Sequence, residues 1–285
     1  MILLSLVGEQ PLPSLLVSRA LKPARTILLY TTTTERVAGN LAMMMAGAEL
    51  KRVDAYDFVA ALAQIRALMA GEAVINLTGG TKPMALAAYE AARAHGAAVV
   101  YLESEKKQSL LYRYAFAGGE SPRLVDKTIL PPLIDIDDYL RVHGLRAPAE
   151  HGPQNPQEAG LGAWLKEQVD ECRRNLVFEG FELDFILRRG NQVAIMEAKM
   201  AWKGSRAGID QLNTAGGQTY LGTYTGKILV TSRPLGAQLA ALAEARRIRA
   251  VTANGQVERR TGRMMFDAAS RSRLLRALEQ VLGPK

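Results

Sequence analysis

Two stretches of the chain carry side chains whose types and spacing point to chemistry. The first is FELDFILRRGNQVAIMEAKM, residues 181–200, where Phe181, Leu183, Phe185 and Leu187 alternate with Glu182, Asp184, Ile186 and Arg188 before Gly190-Asn191 offers a two-residue turn. That turn pairs Arg189 with Gln192, and the register that follows sets Asp184 directly opposite Glu197, about 5 Å apart. Like charges opposite each other destabilise a strand pair, so the arrangement calls for a cation between them. Lys199, two residues beyond Glu197, points to the same face. A helix is expected just upstream over AWLKEQVDEC, residues 163–172, where Glu167 and Glu171 share a face and either completes an oxygen-ligand set for a hard divalent ion. The lysine is then left to orient water or offset charge.

The second stretch is NLTGGTKPM, residues 76–84. It leaves an apolar strand, crosses Gly79 and Gly80, and enters a helix with Pro83 in its first turn. Glycines permit close backbone approach, the first amides and dipole of the helix attract an anion, and Thr78, Thr81 and Lys82 add two hydroxyls and a charge. The spacing is not that of a Walker loop. GEQPLP (8–13) and the threonine run 31–34 follow two further strands, and together the three loops describe a polar cup suited to a nucleotide.

The elements that must position these groups follow a recognisable rhythm. Short β-rich runs at 2–7, 26–32, 74–78 and 98–103 alternate with helical patterns at 13–20, 34–46, 57–70 and 83–95, as in a parallel sheet covered by helices. LLYRYAF (110–116) reads as a later edge strand. Glycine, proline and polar residues concentrate over 144–160, which marks a linker between two α/β domains. Beyond the hairpin, IDQLNTAGG (209–217) reads as a helix ending in glycines and KILVTS (227–232) as a strand.

The 285 residues suffice for two such domains. Cys172 stands alone and His95, His143 and His151 lack ligand spacing, so any metal must sit on carboxylates. No apolar run approaches the ~20 residues of a membrane span, and a cytoplasmic protein is expected. The net charge of +8 is concentrated after residue 150, much of it in Arg246, Arg247, Arg249, Arg259, Arg260, Arg263, Arg271, Arg273 and Arg276, which favours a polyanionic partner such as nucleic acid. Met43–Met45 read as core and dimer-facing filler, and Trp202 as a base-stacking or structural ring.

VGEQPLPSLL, the threonine run and NLTGGTKPM followed by AAVVYLES resemble, over roughly residues 1–140, the CARF domain of type III CRISPR accessory proteins. That resemblance implies a Rossmann-like domain that dimerises and binds a cyclic oligoadenylate, with Gly8, Gln10, Pro11, Thr31, Asn76, Thr78, Gly79, Gly80, Thr81 and Lys82 lining the site. The later residues resemble the PD-(D/E)XK nuclease domain fused to CARF domains, in which a Trp-Leu-Glu helix (Trp164, Leu165, Glu167), a Glu182-x-Asp184 strand and a Glu197-x-Lys199 strand recur in this order. It implies Glu167, in preference to Glu171, as the helix ligand beside Asp184 and Glu197, with Mg²⁺ or Mn²⁺ as the ion. The polar residue expected before Glu182 is replaced by Phe181.

The expectation is therefore a CARF domain over 1–143, a linker over 144–158 and a restriction-endonuclease-like α/β domain over 159–285. As a whole it would be a homodimeric, metal-dependent antiviral nuclease that hydrolyses DNA or RNA when switched on by a cyclic oligoadenylate, cyclic tetra-adenylate being the expected ring. The competing reading is a non-enzymatic CARF regulator that binds nucleic acid through its basic half. Asp184, Glu197 and Lys199 in register disfavour it.

Overall fold

The computed structural model describes residues 1–116, 121–146, 148–152, 155–200, 204–258 and 264–285. The chain divides into two compact units, Met1–Leu133 with Arg141–Leu145, and Ile134–Leu140 with Arg146–Lys285. The chain passes between the units after Leu133, Leu140 and Leu145, the last of these within the stretch expected as linker. Residues 134–140, expected in the first domain, pack with the second, where the buried Tyr139 hydroxyl donates to Leu221 O at 2.9 Å. Among the described residues no helix is long and apolar enough to cross a membrane.

Among the described residues of the first unit, seven strands form one sheet in the order β3-β2-β1-β4-β5-β6-β7. They are β1 (Ile2–Leu6), β2 (Arg25–Tyr30), β3 (Glu49–Arg52), β4 (Ala73–Asn76), β5 (Ala98–Glu105), β6 (Gln108–Phe116) and β7 (Pro122–Ile129). The first five run parallel, and the last two return antiparallel. Helices α1 (Leu12–Leu21), α2 (Glu35–Met44), α3 (Phe58–Leu68) and α4 (Lys82–His95) connect the parallel strands. Leu4, Leu6, Ile27, Leu29 and Ile75 of the inner strands are fully buried against Ile65 of α3 and Met84, Ala87 and Ala91 of α4. Strand order reverses at β1, so the loops after β1 and β4 open at the crevice where such sheets bind ligands. The expected strands and helices of this half are present. Two elements escaped the sequence reading: β3, whose ELKR carries no apolar alternation, and β7, which replaces β6 as the edge.

α5 (Ile136–Val142) leads into the second unit, where α6 (Pro156–Gln168) precedes β8 (Glu171–Phe178), β9 (Phe181–Arg189) and β10 (Gln192–Lys199). α7 (Ser205–Ala215), β11 (Gly226–Thr231), α8 (Ala237–Ala245), β12 (Arg249–Thr252), β13 (Gly255–Val257), β14 (Met264–Phe266) and α9 (Ala268–Leu282) follow. The main sheet runs β12-β11-β10-β9-β8, with the β9–β10 hairpin antiparallel and β10-β11-β12 parallel. Gln192 pairs with Arg189 and Met196 with Phe185, which is the register read from the Gly190-Asn191 turn. Leu161 and Leu165 of α6 and Leu274, Ala277 and Leu278 of α9 bury one face of this sheet together with Phe185, Leu187 and Met196. Phe181, where a polar residue was expected, stacks on Phe178 with centroids 4.6 Å apart and meets the edge of Tyr220 at 4.7 Å.

Candidate functional site

In the first unit, Gly79 and Gly80 hold the loop after β4 against the end of β1. A Cβ on Gly79 would stand 2.2 Å from Leu6 O and 2.8 Å from Gly8 N, and Gly80 has φ +77°, so neither position admits an ordinary side chain. Thr81 then caps α4 by accepting from Met84 N at 3.4 Å, while its hydroxyl donates to Ala55 O. Lys82 is exposed at the first turn of α4. Gly8 and the partly buried Gln10 lie in the facing loop, with Pro11 buried at the start of α1.

Asn76 does not line an open site. It is fully buried, donates to Ser5 Oγ at 3.0 Å and accepts from Thr78 N and Oγ1 at 3.1 and 2.6 Å. Thr78 in turn accepts from Leu102 N at 2.8 Å, so this pair shapes the loop from behind. Thr31 is nearly buried, its amide donating to Thr34 Oγ1 at 3.0 Å, and lies in a cavity of about 530 Å³. Thr31–Thr33 form one wall of that cavity, Arg52–Tyr56 another, and Gln64 and Thr81 complete it. Sequence reading gave no role to Arg52–Tyr56, which end and follow the unrecognised β3, nor to Gln64 on the expected helix α3. Their signal was the D-x-Y-D spacing, in which Asp54 Oδ1 accepts from Tyr56 N and Asp57 N, each at 2.8 Å, and Asp57 caps α3.

In the second unit the strand ladder of β9 and β10 is recorded to Phe185–Met196, and beyond it the carboxylates take over. Asp184 N donates to Glu197 Oε1 at 3.3 Å, and Ala198 N donates to Asp184 Oδ2 at 2.7 Å. Lys199 Nζ stands 2.7 Å from Glu197 Oε2 and 3.8 Å from Asp184 Oδ2, so its ammonium lies against both carboxylates. Glu197 has no exposed surface, and its Oε2 lacks a hydrogen bond of good geometry despite the lysine's approach. Burial, and then the Asp184 charge, push the Glu197 carboxyl up to about 8, while Lys199 pulls it the other way. Burial lowers the Lys199 pKa, but the Glu197 and Asp184 carboxylates outweigh it and leave the ammonium raised. Gly208 of α7 makes room for the lysine, since a Cβ there would stand 3.0 Å from Lys199 Cγ.

Neither expected helix carboxylate joins this group. The helix starts at Pro156 and ends at Gln168, so Glu167 lies exposed near its last turn. Glu171 belongs to β8, where it pairs with Arg188 at 3.2 Å and Arg173 at 3.3 Å. The α6 carboxylate whose charge acts on Lys199 is Glu158, which is buried and accepts from Asn155 Nδ2 at 2.8 Å. Nine residues separate Glu158 from Glu167, two and a half turns, which places them on opposite sides of one helix. Among the described residues no three His, Cys, Asp or Glu side chains gather as a ready metal cage.

Of the late arginines, Arg273 donates to Thr252 O at 2.8 Å and Arg276 to Ser272 Oγ at 2.8 Å, while Arg246 pairs with Asp210. Arg247, Arg249 and Arg271 are exposed. Trp202, Arg259, Arg260 and Arg263 lie outside the described residues. Met45 is buried as expected of filler, whereas Met43 is 78% exposed.

Residues 2–129 match the family model described as the Card1 CARF domain. The first unit is a CARF domain. Over the whole chain the fold is similar to that of Can2 from Sulfobacillus thermosulfidooxidans, solved in complex with cyclic tetra-adenylate. The TM-score is 0.74 at 15% identity, with 99% of each chain covered. It is also similar to protein VC1899 from Vibrio cholerae, with TM-score 0.67 at 14% identity over 88% of this chain and 93% of that one. A type III CRISPR defence DNA nuclease activated by cyclic oligoadenylate aligns with TM-score 0.60 at 19% identity, over 83% of this chain and 46% of that one. No curated protein matches the sequence. The CARF domain thus sits in a chain whose fold, second unit included, is shared with these structures.

Proposed function

We propose that this chain is a nuclease effector of type III CRISPR defence whose CARF domain senses a cyclic oligoadenylate, cyclic tetra-adenylate first, and whose second unit is a PD-(D/E)XK domain that hydrolyses nucleic-acid phosphodiesters. The observation that carries it is the Asp184–Glu197 pair with Lys199 at the end of the β9–β10 hairpin, in the same chain as a CARF domain. Can2 in its complex with cyclic tetra-adenylate supports the choice of ring, and the exposed arginines of the second half support a nucleic-acid substrate.

The residues fit a hard divalent cation, Mg²⁺ or Mn²⁺. Glu197 Oε2 is a buried oxygen whose close partner is the Lys199 ammonium, without a hydrogen bond of good geometry, the donor set is carboxylate, and such ions are commonly held by one or two carboxylates with water and substrate phosphate completing the shell. Asp184 and Glu197 would hold the ion, with Glu158 adding negative charge from α6. A cation there supplies Lewis acidity toward the phosphodiester and acidifies water. Asp184 and Glu197 keep their orientation through the amides they bind. Lys199, beside the pair, would offset with its ammonium the charge that builds on the substrate phosphate.

A ring with two-fold symmetry needs the sensing loops presented twice, which an isologous homodimer does with one sequence. Val59 on α3 and Leu86 on α4 are 73% and 62% exposed close after the cavity residues Tyr56 and Thr81, and a second copy covering them would bring two cavities together. The test of the whole reading is incubation with cyclic tetra- or hexa-adenylate, Mg²⁺ or Mn²⁺, and labelled single- and double-stranded DNA and RNA. Cleavage that requires both ring and cation is expected. Ring binding with no cleavage of any of the four substrates would replace the nuclease by the regulator that binds nucleic acid through its basic half.

A further inference from the structure

The 530 Å³ cavity of the CARF domain is within the range that encloses small ligands, and its lining separates into spent and unspent groups. Arg52 Nη2 donates to Thr32 Oγ1 at 2.7 Å, Thr31 and Thr33 share a hydroxyl contact at 3.0 Å, and Thr81 is bound to Ala55 O. Asp54 holds two backbone amides through one oxygen. Among the described residues, two polar lining side chains have no hydrogen-bond partner. Gln64, exposed on α3, keeps both the donor and the acceptor of its amide open, and Tyr56, 78% exposed, presents its ring without an aromatic neighbour.

A phosphate does not suit this place, because the exposed Asp54 carboxylate stands in the wall and offsets the charge of the Arg52 guanidinium beside it. Phosphates suit the glycine loop with Lys82, next to the cavity through Thr81. A flat ring with a paired donor and acceptor edge suits Gln64, since an amide side chain matches adenine bidentately, its oxygen accepting from the 6-amino group and its nitrogen donating to the neighbouring ring nitrogen. An open tyrosine ring suits the base face.

We propose that this cavity is a base pocket in which Gln64 reads the amino-bearing edge of adenine and Tyr56 stacks on its face. The proposal rests on the reading of the CARF domain as a cyclic oligoadenylate sensor and names the residues that make it adenine-specific.

The test is calorimetric titration of the full chain with two rings, cyclic tetra-adenylate and the same ring built from purine riboside, which lacks the 6-amino group. Wild type should bind the amino-bearing ring at least about tenfold more tightly. Gln64→Leu and Gln64→Ala should each bind the two rings within about twofold of one another, close to the wild-type affinity for the amino-less ring. Tyr56→Ala should weaken both rings by a common factor of about ten, because stacking does not read the amino group. Gln64 variants that discriminate as wild type does, or a Tyr56→Ala chain that binds both rings unchanged, would overturn the assignment while leaving the sensor reading intact. Wild type that binds neither of these rings nor cyclic hexa-adenylate would remove the sensor reading itself, and this pocket with it.

Discussion

Asp184 and Glu197 bind each other's strands: the Asp184 amide donates to Glu197 Oε1, and Asp184 Oδ2 accepts from Ala198 N. Each carboxylate thus serves the hairpin as a backbone carbonyl would. Asp184→Asn retains an oxygen to accept from Ala198 N, so metal-free stability should stay within about 1 kcal/mol of wild type. Cleavage should be abolished, since the amide is a poor ligand for a hard ion. Asp184→Ala leaves Ala198 N without its partner and should cost about 1–3 kcal/mol besides. Thermal melts and nuclease rates of both variants check this, and a fully active Asp184→Asn protein would remove the enzyme reading.

Glu197 makes metal-free stability depend on pH. Burial and Asp184 raise its folded pKa to about 8 from an ordinary value of 4.5, so the folded protein keeps a proton that the unfolded chain gives up. Its stabilising contribution is therefore complete below about pH 4.5 and is lost as pH rises toward 8. Glu197→Gln keeps the uncharged shape without titrating. Its melting temperature should gain on that of wild type as pH goes from 5 to 8, measured with chelator present. Parallel curves for the two proteins would show that the carboxyl does not hold its proton.

Two carboxylates of α6, Glu158 and the expected Glu167, are separable by rate. Glu158→Gln should slow cleavage at least about tenfold, because a charge beside Lys199 and the carboxylate pair is removed, whereas Glu167→Gln on the opposite side of the helix should leave the rate within about twofold. Single-turnover rates with saturating ring and Mn²⁺ decide it. Equal losses in the two variants would mean that neither carboxylate acts on the site directly.

That helix also shows where the sequence could be read and where it could not. The β9–β10 hairpin was legible because a two-residue turn fixes the register of everything behind it, and the alternating apolar residues agree with that register. The start of α6 looked like linker because NPQEAGLG is rich in glycine, proline and polar residues. Its glycines serve packing instead: a Cβ on Gly160 would stand 2.1 Å from Met264 O, and one on Gly162 3.2 Å from the Phe185 ring. Close approach to a strand some hundred residues away leaves no periodic trace. The cavity wall was hidden for a related reason, since β3 is a short exposed edge whose charged residues need no alternation.

Val59 and Leu86 test the homodimer. Each is a large apolar side chain left open on a helix that starts beside the cavity. Val59→Glu with Leu86→Glu should convert a dimer to a monomer in light scattering and weaken ring binding at least about tenfold, because half of the two-fold site is lost. A wild-type protein that is monomeric with and without the ring would refute the shared site.

Thr81 and Lys82 are neighbours with separable duties. Thr81 caps α4 and fastens the loop after β3 by donating to Ala55 O, so Thr81→Ala should cost about 1 kcal/mol of stability as well as ring affinity. Lys82 is exposed and supplies only charge at the helix start, so Lys82→Ala should leave the melting temperature unchanged and weaken ring binding by about ten- to a hundredfold, the loss of one charge-assisted contact. The affinity lost in Lys82→Ala should shrink as salt is raised, because a screened charge contributes less to the wild type, whereas the loss in Thr81→Ala should not. Calorimetry at two ionic strengths distinguishes them. A salt-independent deficit in Lys82→Ala would show that the lysine acts through the shape of the loop rather than through its charge on a phosphate.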